Sequence, residues 1–187
     1  MNQFNIQFID KFLDILQPAE VISEVIRDDG TFPNNDKLPL LLFKSALKLP
    51  QEDAAMLINE IFQVNKWGNS WLWALYAFQH YHSTAHEVLG IYSGWVDAQF
   101  GGPEGQTLKA SAGDVIIIPA GVAHKNLDQS QGFRVVGAYP RGQMWDMNYG
   151  RSGERPSADE RIKKVPLPVT DPVHGKSGPL LKLWQQR

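Results

Sequence analysis

Three of the chain's five histidines and a glutamate fall within eight residues, as His80, His82, His86 and Glu87. On an extended strand, side chains two apart share a face, so His80 and His82 project together. Residues 83–85, Ser-Thr-Ala, have weak strand character and can turn the chain. A returning strand over 87–92 then brings Glu87 back beside the two imidazoles. Two imidazoles and a carboxylate converging from a hairpin outline a metal site. A further ligand must come from elsewhere, and His124 is the obvious candidate. Each assignment has a plainer counterpart. His80 and His82 can be hydrogen-bonded core histidines, although two buried imidazoles beside a carboxylate are costly without a cation. His124 can sit in a surface loop. His86 can replace Glu87, because alternation sends these neighbours to opposite faces and only one points inward. His174, in an irregular tail, reads as solvent-exposed.

The rest of the chain must position these groups. Its 187 residues suffice for one domain with a real core and are few for two. Hydrophobic content of 43% with 20% charged residues fits a soluble globular protein. A net charge of -2 provides no field to recruit nucleic acid or an acidic membrane. The small basic cluster Arg161, Lys163 and Lys164 reads as a solvated helix face. The absence of cysteine excludes disulfides, thiolate metal sites and cysteine nucleophiles, and is compatible with a reducing compartment. The first residues lack the pattern of a signal peptide, and no apolar run reaches membrane-spanning length. The expected location is cytoplasmic.

Residues 6–16 carry apolar side chains at helical spacing, and 21–26 and 40–46 read as strands. Residues 50–66 predict a helix, with Ile58, Ile61 and Phe62 on its apolar stripe and Gly68 able to end it. From residue 70 the character turns to β. Residues 70–82 predict one long aromatic strand. Its even positions, from Leu72 through Tyr76 and Phe78 to His80 and His82, would share a face and line one cavity. Its odd positions, including Trp71 and Trp73, are also apolar, which predicts cover on both sides. Further strands are expected over 88–100 (broken at Ser93-Gly94), 107–110, 115–118, 124–127 and 133–139. Short strands separated by Gly and Pro turns indicate an antiparallel sandwich or barrel. Beyond residue 149, prolines interrupt regular structure. A short helix over 158–164 is expected, with Ser157 and Glu160 as a capping box. Leu180, Leu181, Leu183 and Trp184 suggest that the tail docks, on the barrel or on a second subunit.

Two stretches together resemble the cupin superfamily. The first is His80-Tyr81-His82, four residues, Glu87, six residues and Gly94. The second is Gly113, five residues, Pro119-Ala120-Gly121, two residues and His124. The glycine that often opens the first motif falls at Ala74, and the asparagine that often closes the second falls at Asp128; neither departure removes a ligand. The motifs span roughly residues 74–128, and the flanking strands extend the likeness to about 140. The resemblance favours Glu87 over His86. It implies a mainly β, double-stranded β-helix (jelly-roll) barrel as a single domain. The metal-site core would cover about 70–140, with an N-terminal helical and strand extension over 1–69 and a wrapping tail over 141–187. It also implies one divalent metal ion on His80, His82, Glu87 and His124. The ligand set suits Fe, Mn, Ni, Co, Zn or Cu.

Zinc on four protein ligands would be closed and structural, whereas an octahedral ion keeps positions for substrate. Three functions follow. The first is a metal-dependent, dioxygenase-like enzyme on a small organic substrate. The second is a metal-dependent isomerase or decarboxylase. The third is a small-molecule-binding protein without turnover. Tyr76, Phe78 and Tyr139 are the candidate substrate contacts, with plain core as their alternative. Arg134 and Lys125 could clamp an anion or simply face solvent. Family likeness and the apolar terminal extensions lead to the expectation of a homodimer.

Overall fold

The chain's apolar runs become strands buried on both faces. A computed structural model describes residues 14–185. Among the described residues it has nine strands: β1 (Glu20–Ile26), β2 (Asn35–Lys44), β3 (Trp67–Trp73), β4 (Glu87–Ser93), β5 (Trp95–Phe100), β6 (Gln106–Ser111), β7 (Val115–Ile118), β8 (His124–Gln129) and β9 (Arg134–Pro140). Three short helices accompany them: α1 (Ala54–Val64), α2 (Ser157–Ile162) and α3 (Pro179–Gln185). A six-stranded sheet runs in the order β1-β2-β7-β4-β9-β3, and a three-stranded sheet in the order β6-β5-β8. Every pairing is antiparallel. The mainly β expectation is met, and so is the break at Ser93-Gly94. Gly94, at φ 69°, lies between β4 and β5, which belong to different sheets.

Alternation along the large sheet sorts its side chains into two cores. Leu41, Phe43, Val88, Val115, Ile117, Val136 and Ala138 face α1 and α3. Leu40, Leu42, Leu89, Ile91, Ile116, Ile118 and Val135 face the small sheet, where Val96, Ala98 and Phe100 meet them. A strand such as Val115–Ile118 therefore has no polar position, because both its faces are covered. α1 can lie close to β4 because Gly90 has no side chain there. A Cβ at that position would sit 2.6 Å from Ile58 Cγ2 and 2.9 Å from Phe62 Cζ.

Several sequence expectations change. The helix expected over 6–16 lies mostly outside the described residues; Leu16 forms a bridge with Leu47. α1 is shorter than 50–66. Gly68 does not stop it but belongs to β3. The strand expected over 70–82 ends at Trp73, because β3 is an edge strand and the chain must then cross toward the small sheet. Trp73 is 70% exposed, so the stretch is not covered on both sides. The capping box at Ser157 does not form: Pro156 is the cap residue, and Glu160 pairs with Lys163 at 2.7 Å. His174 is half-buried, 3.5 Å from Asp171, rather than solvent-exposed.

The tail docks on its own domain. Trp184 is buried, and its Nε1 donates to Pro39 O at 2.9 Å. Trp67 Nε1 donates to Thr170 O at 3.0 Å, and Asn65 Nδ2 donates to Pro172 O at 2.8 Å, which ties the segment to the end of α1. Among the described residues, no helix is long and apolar enough to cross a membrane.

The contact at Gly90 yields a test. Gly90→Ala forces Ile58 and Phe62 aside in a filled core, at a cost of about 1–3 kcal/mol. The thermal midpoint should fall by several degrees in a melt followed by circular dichroism. An unchanged midpoint would mean that α1 does not press on β4 as described.

Candidate metal centre

The segment after the crossover pairs with two neighbours at once. His80 and His124 exchange backbone hydrogen bonds at 3.2 and 2.9 Å, and Tyr81 does the same with Asn148 at 2.9 and 3.0 Å. This extended stretch sends Tyr81 one way, into a small core with Phe32, Ala123 and Ala158. His80 and His82 go the other way. The pairing with His124, first residue of β8, brings the third imidazole alongside: the His80 and His124 ring centroids are 4.2 Å apart. One ring nitrogen from each of His80, His82 and His124 lies within 4.8 Å of the others, and all three residues are buried.

Glu87 opens β4, paired with Ile118, and faces the same side as Leu89. Its Oε2 lies 3.5 Å from His82 Nε2 and 3.3 Å from His124 Nε2. Its Oε1 accepts a 2.6 Å hydrogen bond from the Tyr139 hydroxyl, which itself accepts one from Trp71 Nε1 at 2.9 Å. The Trp71 indole lies over Gly137, where a Cβ would come within 2.1 Å of the ring. The neighbouring His86 points to the opposite face, as alternation requires. There its ring packs on Trp184 at 4.7 Å, and its Nδ1 accepts from Ala120 N at 2.9 Å. His86 stands outside the cluster.

Each clustered imidazole has its Nδ1 against a backbone carbonyl: His80 on Phe78 O at 3.2 Å, His82 on Asp146 O at 2.5 Å, and His124 on Val122 O at 3.1 Å. A carbonyl only accepts, so Nδ1 carries the proton and Nε2 holds the lone pair. Three imidazoles thus cluster in a buried place, and the Glu87 carboxylate faces two of them, His82 and His124. The donor set fits a divalent ion of borderline hardness, and the carbonyls orient the rings as metal-bound histidines require.

The electrostatics agree. Burial, then the His124 and His82 rings, push His80 down to about 3. For His82, burial disfavours the charged form, but the Glu87 carboxylate outweighs it and raises the pKa. For Glu87, burial would raise the pKa, yet the charge of a protonated His82 and the close contacts with both imidazoles hold it well below the carboxylate range. Burial and the adjacent Glu87 push Tyr139 up, so its phenol keeps its proton. A proton on His82 and a cation in the centre compete for the same nitrogen.

A cavity of about 190 Å³ opens above the cluster. Tyr76 and Tyr139 line it, as the sequence suggests. Phe78 is not part of the lining; it stacks on Tyr76 at 4.8 Å and lies 5.7 Å from His80. Arg134 and Lys125 are not in the lining either. Sequence reasoning missed three contributors, Trp71, Trp145 and Asp146. Trp145 lies 5.1 Å from His82 and stacks on Tyr139. The Asp146 carboxylate accepts hydrogen bonds from the Ser83 and Thr84 backbone and hydroxyls and from Asn148, fixing the turn after His82. The available signal was the run Trp145-Asp146-Met147-Asn148, which follows the last strand and mixes aromatic and polar residues.

No protein-family model matches the chain. The solved structures similar to it include dTDP-4-dehydrorhamnose 3,5-epimerase from Elizabethkingia anophelis, at 11% identity and a TM-score of 0.42, covering 80% of this chain and 96% of that one. Acireductone dioxygenase from Bacillus anthracis, with cadmium in its active centre, is similar at 17% identity and a TM-score of 0.39, covering 78% and 90%. At TM-scores below 0.5 neither likeness carries an argument about this chain. A curated relative is much nearer: the uncharacterized protein YjlB of Bacillus subtilis is 42% identical over 157 residues, 84% of this chain and 92% of the relative. By that identity over nearly the whole length of both proteins, the chain belongs to the YjlB family.

Proposed function

We propose that His80, His82, Glu87 and His124 hold one divalent metal ion, and that the chain is an oxygenase-type enzyme acting on a small organic substrate in the cavity above it. The observation that supports this reading is the buried group of three imidazoles, each with its Nδ1 against a backbone carbonyl, with the Glu87 carboxylate 3.5 and 3.3 Å from Nε2 of His82 and His124. When bound, such an ion supplies Lewis-acid or redox chemistry. The chain's own residues do the rest. Tyr139 and Trp71 hold Glu87 in place, Asp146 and its carbonyl hold His82, and the aromatic walls exclude water.

The lining favours oxygenase chemistry over an isomerase that works by proton abstraction. Proton abstraction needs a base within reach of the substrate. Apart from the four proposed ligands, the titratable groups among the described residues that line the cavity are the phenols Tyr76 and Tyr139. Tyr139 is a poor base, because burial and Glu87 keep it protonated.

Three measurements test the reading. His80→Ala or His124→Ala should cut metal content sharply in elemental analysis of purified protein, and unchanged content would refute the site. His86→Ala should retain the metal while lowering the thermal midpoint through its lost packing on Trp184; loss of metal there would mean that the wrong neighbour was chosen. Tyr139→Phe leaves one oxygen of Glu87 unpaired and should weaken metal affinity by about 10–100-fold, the usual cost of losing such an orienting group. Unaltered affinity would remove Tyr139 from the account. For the reaction class, oxygen uptake by iron-loaded protein in the presence of single-ring and aliphatic substrates is expected, and its absence with product formed would favour the isomerase or decarboxylase reading.

A further inference from the structure

The walls above the cluster differ from those of a site built for a charged metabolite. Among the described residues, no Lys or Arg belongs to the lining, and its only carboxylate is Glu87. The polar ends of Trp71 and Tyr139 are taken up by each other and by Glu87. The remaining walls are apolar or aromatic: Trp73, Leu75, Tyr76, Leu89, Trp145 and Met147. An ionised group on a ligand therefore finds its charged partner at the cluster itself, because the remaining walls offer none. Size narrows the choice further. An apolar cavity of roughly 150 Å³ takes one benzene ring. The cavity here, about 190 Å³, has room for one ring and small substituents.

The wall geometry suits flat ligands. Trp145 lies nearly parallel to Tyr139, with centroids 5.9 Å apart and planes at 27°. Trp73 and Tyr76 stand at the rim, 70% and 46% exposed, where an incoming ring meets them first. Aromatic pairs gain from offset stacking and edge-to-face contact beyond the area they bury, which an aliphatic ligand of equal volume does not.

We infer that the ligand of this cavity is a single-ring aromatic with oxygen donors on one edge, a phenol or catechol, its oxygens toward the histidine cluster and its ring against Trp145 and Trp73. The orientation of the oxygens rests on the metal reading above; the seat of the ring rests on the walls alone.

The test uses full-length protein loaded with nickel, an octahedral ion that keeps positions open, and titrated with 4-nitrocatechol, whose absorbance reports binding, and in parallel with oxalate, which has oxygen donors and no ring. Trp145→Ala and the exposed Trp73→Ala are compared with wild type, with nickel content measured on every sample. Both variants should bind 4-nitrocatechol roughly threefold to tenfold more weakly, the factor one aromatic pair contributes, with oxalate affinity unchanged. A third arm titrates metal-free protein with phenol, observed by saturation-transfer NMR. Phenol bound to wild type and weakened in Trp73→Ala, in a chain that takes up no nickel, would uphold the ring seat and defeat the metal reading. Variants that affect oxalate and 4-nitrocatechol equally, or neither, in nickel-replete protein would overturn the ring seat and leave the metal reading standing. Failure of both rings to bind would overturn it too.

Discussion

Glu87 is a carboxylate taken out of water in the interior of the larger sheet, only 2% exposed. Removing a carboxylate from water costs several kcal/mol or more unless partners surround it. The chain supplies those partners on every side. Tyr139 donates to one oxygen, and His82 and His124 face the other. The partners are held in turn, Tyr139 by Trp71 and His82 by the Asp146 carbonyl. The residues that keep Glu87 ionised come from β3, β8, β9 and the two irregular stretches around residues 82 and 146. Most of the fold's topology can be read as the arrangement that brings those five pieces to one carboxylate.

The sheets provide this through alternation. β4 is covered by α1 and α3 on one side and by the small sheet on the other, so His86 and Glu87 enter different interiors. His86 becomes a neutral packing residue, pushed down to about 3 by burial alone. Glu87 becomes the charged centre of the other interior. One step along a strand separates a structural histidine from a proposed metal ligand, and strand register alone decides which is which.

The sequence carried the cluster because its spacing depends on local geometry. His80 and His82 share a face across Tyr81 wherever the backbone is extended, and Glu87 follows after a four-residue turn. The strands over 115–118 and 124–127 were legible for the same reason, as apolar or alternating runs bounded by Gly and Pro. The long strand expected over 70–82 ends at Trp73, because aromatic residues on both faces suit a sheet edge and a cavity rim as well as two-sided cover. Trp73 is 70% exposed, and Tyr76 and Phe78 are each 46% exposed. The mixed run around Asp146 marks the segment but does not reveal what the carboxylate holds. Its role depends on a return of the chain some sixty residues after His82. The capping box at Ser157 failed for a neighbouring reason: the helix begins at that residue, so Ser157 lies inside it instead of preceding it.

The proposed ion and the proposed ring seat have different physical origins. The ion depends on lone pairs and one negative charge held without water, and the ring seat depends on flat apolar walls that would exist without it. The ion is the central claim, and anomalous X-ray scattering from crystals of natively purified protein tests it most directly. The account predicts one anomalous peak per chain, about 2.0–2.2 Å from Nε2 of His80, His82 and His124 and from a Glu87 oxygen. A cluster without a peak after metal loading, or a peak on His86 instead, would contradict it.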